Sequence, residues 1–495
     1  MPLDPRTAVI VGAGQVTQRV EPAEALEPVD LMAEAARRAA ADAGVDGLVR
    51  EAESVRVVQS LTRRYPDPGA LVAERLGASP RQTAVTTLGG NSPQSLVNDT
   101  CLAIAGGQLD VALLTGAEAW RTRTALRRAG VKADWTTQPD DTPPPDRIGS
   151  ELTMSSPAET ALGIVEPVQV YPLFENALRV AAGRTVDEHA RFLSELWAGF
   201  SEVAATNPYA WTREQRSAEE IRTVSPANRM VGFPYPKLMN SNNDVDQSAA
   251  LLLCSVEAAR RAGVPEERWI FPHAGTDAHD HPYVSNRDDL RSSPAIRFAG
   301  RRALDLAGVG PDDLAHVDLY SCFPSAVQIA AGELGLSLDR RLTVTGGLCF
   351  AGGPWNNYVM HAIATMVGLL RQDPGAVGFT SANGGFVTKH AFGVYSARPP
   401  AGGFRYEDVQ SRVDAEPARP LAEGYEGSVA IESYTVMHER DGSPANAIAA
   451  CLTADGARTW ATSTDPDLLA AMTTEEFCNR PAVIGTGRRL LVPSG

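Results

Sequence analysis

Three glycine-rich turns in this sequence each follow a strand pattern, and the first of them is suited to hold a reacting carbonyl group. The first is Gly89-Gly90-Asn91-Ser92-Pro93, which follows a strand pattern and opens a helix pattern. Ser92 is of a type that caps helices, and Pro93 suits the first helical position. Backbone N–H groups at a helix N-terminus favour negative charge, so this turn would suit an anion or a thioester oxygen. The other two turns are Gly346-Gly347 and Asn383-Gly384-Gly385.

Side chains that could supply a nucleophile or a proton lie near these turns. Cys349 belongs to the second turn and could face a pocket, whereas Cys322 is expected to be a packed thiol. Ser92 has no adjacent histidine to activate it, so a cap is the better prediction for its hydroxyl. His390 follows the third turn and is the best-placed histidine, with a structural role as the alternative. The phenol of Tyr320 could act as a general acid or donate to a thioester carbonyl.

Two further patterns are predicted to bind nothing. Gly12-Ala13-Gly14 follows a strand pattern at 7–11, but Thr17 replaces the third glycine of a dinucleotide motif, so we predict a turn leaving a buried strand. His273, His279 and His281 have spacings that permit metal ligands, yet their order is not that of a zinc site. We therefore predict a solvated polar loop there and no metal.

The composition excludes several classes of function. The chain has 495 residues and a net charge of −15, which argues against nucleic acid and anionic lipid as partners. Six cysteines without a CxxC pair do not make a disulfide framework. We find neither an apolar run of membrane-spanning length nor a leader pattern, and so expect a cytoplasmic multidomain α/β protein.

The element pattern occurs twice, which predicts a duplicated core. Each half reads β-α-β-α-β with a diglycine after its middle strand, and right-handed crossovers would make each half a parallel sheet covered by helices. The predicted elements are strands at 54–60, 83–88 and 110–115 with helices at 70–77 and 93–105, and strands at 316–320, 341–345 and 376–381 with helices at 325–336 and 357–371.

The remaining segments add an insertion and a tail. An amphipathic helix is predicted at 28–43, and a proline-rich and charged insertion with one clear helix at 189–203 separates the halves. The tail pattern of short strands, turn dipeptides and a brief helix favours a five-stranded antiparallel OB-like barrel. The predicted divisions are 1–120, 121–240, 241–400 and 404–495.

Several segments, in the expected order, resemble the thiolase superfamily. Residues 86–118 are similar to the segment that carries the family's nucleophile, and 246–254 to its D-G-A-A-A segment. Residues 318–324, 346–354 and 382–385 resemble three further active-site loops. The tail resembles the extra OB-type domain of one thiolase-like subgroup. The resemblance implies a duplicated five-layered α-β-α-β-α core with a loop domain, as in sterol-carrier-type thiolases and acetyl-CoA acetyltransferases.

The same resemblance implies that the catalytic groups differ. The family's nucleophilic cysteine falls on Gly89, its activating histidine on Gly353 and its second cysteine on Ala382. Tyr320 occupies the position of an asparagine or histidine, as in thiolase-like aldolases that cleave steroid side-chain thioesters. Glycine cannot form a thioester, so we expect little or no thiolase activity, although overall similarity would favour an acyltransferase.

Three hypotheses about function follow. The first is an acyl-CoA-binding protein with no other cofactor, and the second is a retro-aldol lyase that uses Tyr320 and backbone N–H groups as an oxyanion hole. The third is a scaffold with a protein partner at the tail; monomer and homodimer both stay open. The predicted catalytic residues are Tyr320 and His390. The predicted substrate-binding residues are Gly89, Gly90, Asn91, Ser92, Cys349, Gly352, Gly353, Asn383, Gly384 and Gly385.

Overall fold

Two β-sheets enclose a central layer of helices in the computed structural model, which describes residues 3–492. The first two residues of the predicted division 1–120 and the last three of the division 404–495 therefore lie outside the described residues. The strands are β1 (Ala8–Thr17), β2 (Ser54–Val57), β3 (Gln82–Thr86), β4 (Val111–Ala119), β5 (Asp146–Ile148), β6 (Met230–Gly232), β7 (Tyr235–Pro236), β8 (Asp246–Ser255), β9 (Phe271–His279), β10 (His316–Asp318), β11 (Val377–Gly384), β12 (Lys389–Ser396), β13 (Arg405–Tyr406), β14 (Gly427–His438), β15 (Pro444–Leu452), β16 (Arg458–Ser463), β17 (Pro481–Gly485) and β18 (Arg489–Leu491). The α-helices are α1 (Pro28–Ala43), α2 (Pro68–Leu76), α3 (Ser92–Ala105), α4 (Trp120–Arg128), α5 (Pro157–Ala161), α6 (Pro167–Ala181), α7 (Val186–Thr206), α8 (Ala218–Arg222), α9 (Val256–Ala262), α10 (Arg301–Ala307), α11 (Pro324–Leu334), α12 (Gly347–Phe350), α13 (Tyr358–Gln372), α14 (Gln410–Asp414) and α15 (Pro466–Met472).

The layers alternate between helices and sheets. The N-terminal sheet has the order β1-β8-β4-β2-β3-β5, and the C-terminal sheet has the order β10-β11-β12-β9-β13. Helices α3 and α13 contact strands of both sheets, while α1 and α2 cover the outer face of the first sheet and α10 that of the second. Strands β4 and β8 are buried along their whole length because helices lie on both faces. The predicted five-layered α-β-α-β-α core is confirmed.

Both sheets are mixed, so the prediction of parallel sheets was wrong in part. The crossover strands are parallel as expected, namely β2 with β3 and β4, and β10 with β11. Strand β8 enters antiparallel between β1 and β4, and β12 pairs antiparallel with both β11 and β9. The antiparallel strands come from segments outside the repeated pattern, so the pattern did not include them.

The strand predicted at 341–345 is absent from the described residues. The carboxylate of Asp318 instead accepts hydrogen bonds from the Thr343 hydroxyl at 2.9 Å and the Val344 N–H at 2.9 Å. Burial raises the pKa of Asp318 to about 6, because its effect is larger than that of the hydrogen bonds, which lower the pKa. The side chain of Asp318 therefore accepts the hydrogen bond of a backbone N–H group that a neighbouring strand would accept in a β-sheet.

Strand β1 continues through the glycines at which a turn was predicted. A β-carbon added at Gly12 would overlap the Ala39 carbonyl oxygen, and one at Gly14 would overlap that of Ala35. Ala35 and Ala39 lie on α1, whose predicted bounds are confirmed. The glycines are there because they allow the helix backbone to pack directly against the strand.

The insertion contains one long helix more than predicted. The helix predicted at 189–203 is confirmed within α7, which is longer. Helix α6 was missed because Pro172 lies in its interior, and an internal proline normally indicates a break. The divisions at 120, 240 and 404 stay predictions; β8, which follows the insertion, lies in the N-terminal sheet.

The tail is a closed five-stranded OB-like barrel, as predicted. The strand order is β15-β16-β18-β17-β14, with β14 pairing β15 to close the ring and α15 between β16 and β17. The antiparallel prediction fails for one pair, because β16 and β18 are parallel at Thr462 and Arg489. The two strands predicted at 428–432 and 434–438 are one strand, β14, with a register shift between Ile431 and Ser433.

One arginine fastens this barrel to the core. Arg458 is fully buried and forms an ion pair with Glu432 at 2.6 Å. Its guanidinium also donates to the carbonyls of Val284 at 3.0 Å and Ser285 at 3.1 Å, and the Trp460 indole donates to the Ser285 hydroxyl at 2.9 Å. The barrel face that carries these groups therefore packs against the C-terminal half of the same chain.

Replacing this arginine should weaken the whole molecule. We expect Arg458→Met to lower the free energy of unfolding by about 3 kcal/mol, because Glu432 loses its buried partner. Urea denaturation would measure the change. Arg480→Met is the control in the same barrel, since its pair with Glu475 is exposed, and it should cost less than about 1 kcal/mol. Equal costs would contradict the anchoring role.

Candidate functional site

The N-terminus of α3 meets the end of β11 and the loop after β10. A β-carbon added at Gly90 would overlap both the Tyr320 phenolic oxygen and the Asn383 carbonyl oxygen. The Gly89 Cα lies 3.1 Å from the place where Gly384 would carry a β-carbon. These contacts bring together five of the predicted site residues, and they are possible only because three of the five are glycines.

The loop before α13 supports this junction. The Gly89 N–H donates to the Asn356 side-chain oxygen at 3.0 Å, and the Asn356 amide donates to the Gln59 carbonyl at 2.8 Å. Gly89 itself has a φ of +148°, a conformation that side chains rarely adopt. Asn356 was missed by the sequence analysis, which considered only the glycines of that loop.

Two amide oxygens in the junction have no hydrogen-bond partner within residues 3–492. They are the buried Oδ1 atoms of Asn91 and Asn383. The Asn91 amide nitrogen donates to the Ser95 hydroxyl at 3.3 Å, and that of Asn383 donates to the Tyr171 phenol at 2.9 Å. Buried acceptors are normally paired, so each of these oxygens has an unused capacity to accept a hydrogen bond.

The side chain of Tyr320 is nearly buried and chemically neutral. The ring packs edge-on against Tyr358 with centroids 5.6 Å apart. The backbone N–H of Tyr320 donates to the Ser381 hydroxyl at 2.9 Å. Burial raises the pKa of the phenol above its ordinary value, and the neighbouring Cys322 raises it further by a smaller amount. The phenol therefore keeps its proton and can donate a hydrogen bond.

The insertion contributes a tyrosine that sequence analysis missed. Tyr171 of α6 donates to the Gly385 carbonyl at 2.9 Å and receives the Val387 N–H at 3.2 Å. Its ring stacks on Phe323 with centroids 4.4 Å apart. Helix α6 thereby positions the third glycine turn, and α6 itself was absent from the predicted elements.

A lysine also missed by sequence analysis lies at the centre of the junction. Lys389 opens β12 opposite Gly384, and its ammonium group donates to the Leu88 carbonyl. The Nζ atom lies 2.9 Å from the place where a β-carbon at position 89 would be. Burial lowers the pKa of Lys389, and the negative charge of Glu151 opposes this shift.

The prediction that the Ser92 hydroxyl caps α3 was wrong, while its predicted role in binding stays a prediction. Its hydroxyl donates back to the Thr87 carbonyl at 2.9 Å, and Ser92 is the first residue of α3. The N-cap position belongs to Asn91, whose side chain makes no capping hydrogen bond. The hydroxyl of Ser92 thus fastens the turn to the preceding strand.

Three predicted binding residues form a neighbouring cluster. The thiol of Cys349 donates to the Leu238 carbonyl at 2.9 Å, and burial raises its pKa. A β-carbon at Gly352 would overlap the Gln247 amide oxygen, and one at Gly353 the Ser241 hydroxyl. The loop between Gly352 and α13 connects this cluster to the junction around Gly89.

His390 lies in a buried charged network. Its Nε2 is 3.6 Å from the Asp280 carboxylate and 3.5 Å from the Ser293 hydroxyl. Burial alone would raise the pKa of Asp280, but the hydrogen bond from His390 and the charge of Arg287 hold it below its ordinary value. These contacts support a structural role, while the catalytic role of His390 stays a prediction.

The predicted solvated loop was wrong for His273 and His279, which lie in β9, and all three histidines contact backbone carbonyls instead of one another. His273 contacts the Arg398 carbonyl at 2.7 Å, His279 that of Asp280 at 3.1 Å and His281 that of Glu416 at 3.4 Å. Within residues 3–492, no group of three or more His, Cys, Asp or Glu side chains is arranged to hold a metal ion. No helix in the same range is long and apolar enough to cross a membrane.

The layered core and the glycine junction define a thiolase fold with an added C-terminal barrel. Residues 408–486 match the family model of the thiolase-like protein type 1 additional C-terminal domain. A monomeric SCP2-thiolase-like protein type 1 from Mycobacterium smegmatis is 34% identical, with 99% of this chain and 100% of that chain covered and a TM-score of 0.84. The chain belongs to this family of type 1 SCP2-thiolase-like proteins.

More distant proteins share the core. An Ltp2-ChsH2(DUF35) aldolase is 19% identical, with 80% of this chain and 99% of that chain covered and a TM-score of 0.59. An acetyl-CoA acetyltransferase of Methanocaldococcus jannaschii is 24% identical over 62% of this chain and 70% of its own length. The structural likeness to the aldolase shows a common fold.

The junction should not tolerate a side chain at position 90. We expect Gly90→Ala to lower the free energy of unfolding by about 2 kcal/mol, because the new methyl group overlaps Tyr320 and Asn383. Thermal and urea denaturation would measure the loss. Gly199→Ala is the control, since it lies in α7 with open space around it and should gain up to about 1 kcal/mol. A neutral Gly90→Ala would contradict the packing described.

Proposed function

We propose that this protein binds acyl-CoA thioesters at the N-terminus of α3 and has little or no thiolase activity. The observation that carries the proposal is the junction of Gly89 and Gly90 with Tyr320. Backbone N–H groups of a helix N-terminus and a neutral phenol are the donors that a thioester carbonyl needs. The unpartnered oxygens of Asn91 and Asn383 are acceptors for the amide N–H groups or hydroxyls of such a ligand.

The burial of the cysteines supports the expectation that no cysteine acts as a nucleophile. All six are buried, and burial raises the pKa of Cys322, the one beside Asn383, to about 12. A thiol that stays protonated is a poor nucleophile at neutral pH. The place in the fold where thiolases carry their reactive cysteine is, by the resemblance, Gly89. The acyl group would therefore be bound without forming a thioester to this chain.

Binding and turnover can be measured separately. We expect saturable heat in calorimetry with CoA and with butyryl-CoA, and no thiolysis of acetoacetyl-CoA. Gly89→Cys should also fail to give thiolysis, because its side chain would be strained at a φ of +148° and would overlap Asn91. Absence of binding heat would overturn the ligand class, and thiolysis by the natural chain would overturn the lack of activity.

A retro-aldol lyase is the second candidate, and Tyr320 favours it. In this reaction the Cα–Cβ bond of a β-hydroxyacyl-CoA breaks, and its electron pair becomes the thioester enolate. The β-hydroxyl loses its proton as the new carbonyl forms, and the α-carbon gains one. Tyr320 and the N–H groups of the first and third glycine turns would hold the enolate oxygen.

This candidate makes Tyr320→Phe the decisive variant. If the chain cleaves a β-hydroxyacyl-CoA, the variant should lower kcat at least about 100-fold, because one donor to the enolate oxygen is lost. Mass spectrometry of the released acyl-CoA and carbonyl product would follow the reaction. Tyr425→Phe is the control, since this partly buried tyrosine packs against the barrel core and its hydroxyl donates to the Ser428 carbonyl. Unchanged cleavage in Tyr320→Phe would eliminate this mechanism.

The scaffold hypothesis has less support, because Arg458 and Trp460 already bind the chain's own core. We also propose that the protein is a monomer located in the cytoplasm. Strand β5 pairs with the outer edge of β3 and is only three residues long, which leaves a short edge for a second copy to pair with. Six unpaired cysteines favour a reducing compartment.

A further inference from the structure

Lysine is rare in this chain, and one lysine is buried at the junction. Only three of the 45 basic residues are lysines, namely Lys132, Lys237 and Lys389. Lys132 and Lys237 are exposed, whereas Lys389 is 5% exposed. A guanidinium cannot lose its proton in a protein, but an ammonium can. Lys389 is therefore the one buried lysine of this chain, and its amine can become a neutral nucleophile.

The surroundings of Lys389 favour this neutral amine. Its hydrogen-bond partner is the carbonyl of Leu88, and the nearby N-terminus of α3 carries partial positive charge. A buried ammonium is usually paired with a carboxylate. The carboxylate whose charge acts on it here is Glu151, an exposed residue that forms an ion pair with Arg147 at 2.8 Å.

The position of the amine relative to the glycines is the second observation. Nζ lies 2.9 Å from the place of a β-carbon at residue 89, and Cε lies 3.2 Å from that at residue 384. The lysine thus extends into space that side chains from these two positions would otherwise occupy. Leu88, Asn91 and Gly385 around it are partly exposed. The amine is therefore surrounded by residues that reach the surface.

We propose that Lys389 is the nucleophile of this site and forms an imine with the ketone carbon of a β-oxoacyl thioester. The proposal rests on the proposed binding of acyl thioesters at α3. The neutral Nζ forms a bond to the ketone carbon, and one of its two protons moves to the carbonyl oxygen, which becomes the hydroxyl of a carbinolamine. Tyr320 donates a proton to that hydroxyl, which leaves as water when the C=N bond forms, and the phenolate regains a proton from the nitrogen.

Reductive trapping tests the imine directly. The full chain is incubated with acetoacetyl-CoA and sodium cyanoborohydride, which delivers hydride to the C=N carbon and leaves a stable secondary amine. We expect the intact mass to rise by one acyl-CoA less water plus two hydrogens, and peptide mapping to place the adduct on Lys389. Labelling should exceed that of the exposed Lys132 and Lys237 at least tenfold.

Controls separate this inference from the proposed function. Butyryl-CoA lacks the ketone, so it should bind in calorimetry but give no adduct. Lys389→Arg keeps the charge and should abolish the adduct, whereas Lys237→Arg should not, with circular dichroism confirming that both variants fold. Binding of butyryl-CoA without any adduct on Lys389 would overturn the imine alone. Absence of butyryl-CoA binding would overturn the thioester site, and labelling equal among the three lysines would also reject the inference.

Discussion

The close approach of backbone to backbone at Gly89, Gly90 and Gly384 is the constraint on which the centre of this molecule depends. Helix α3 is packed between two sheets, so its N-terminus can reach the end of β11 only where side chains are absent. The helix end, the phenol of Tyr320 and the amine of Lys389 then share one small volume. A single added methyl group would separate them, because packed interiors do not deform continuously.

Buried polar networks hold the other parts of the chain around this centre. Glu175 of α6 is fully buried and accepts from Gln328 at 2.7 Å and from the Tyr235 phenol at 2.5 Å, while His189 contacts it at 2.7 Å. Burial, with the charge of Glu175, raises the pKa of Tyr235 well above its ordinary value, so this phenol stays a donor. The insertion is thereby joined to α11, as Arg458 joins the barrel to the segment around Ser285. Networks of this kind specify one arrangement because leaving a member unpaired is costly.

The chemistry of the junction is that of hydrogen-bond donors and a buried amine. Each thiol is buried, and for Cys322 and Cys349, the two nearest the site loops, burial favours the protonated form. The unpartnered oxygens of Asn91 and Asn383 add acceptors on the same surface. In the proposed function, these groups bind and polarise a carbonyl compound.

The sequence by itself determined the elements whose signals are local. The periodicity of α1, the glycine turn after β3 and the turn dipeptides of the barrel all act within about ten residues, and the structure confirms them. Contacts between distant segments could not be predicted in this way. Lys389 and Leu88 are 301 residues apart, and Asn356 and Gly89 are 267 apart. Which side chains meet at α3 was decided only by the stacking of the two sheets, because that packing, and no local pattern, brings these loops to one place.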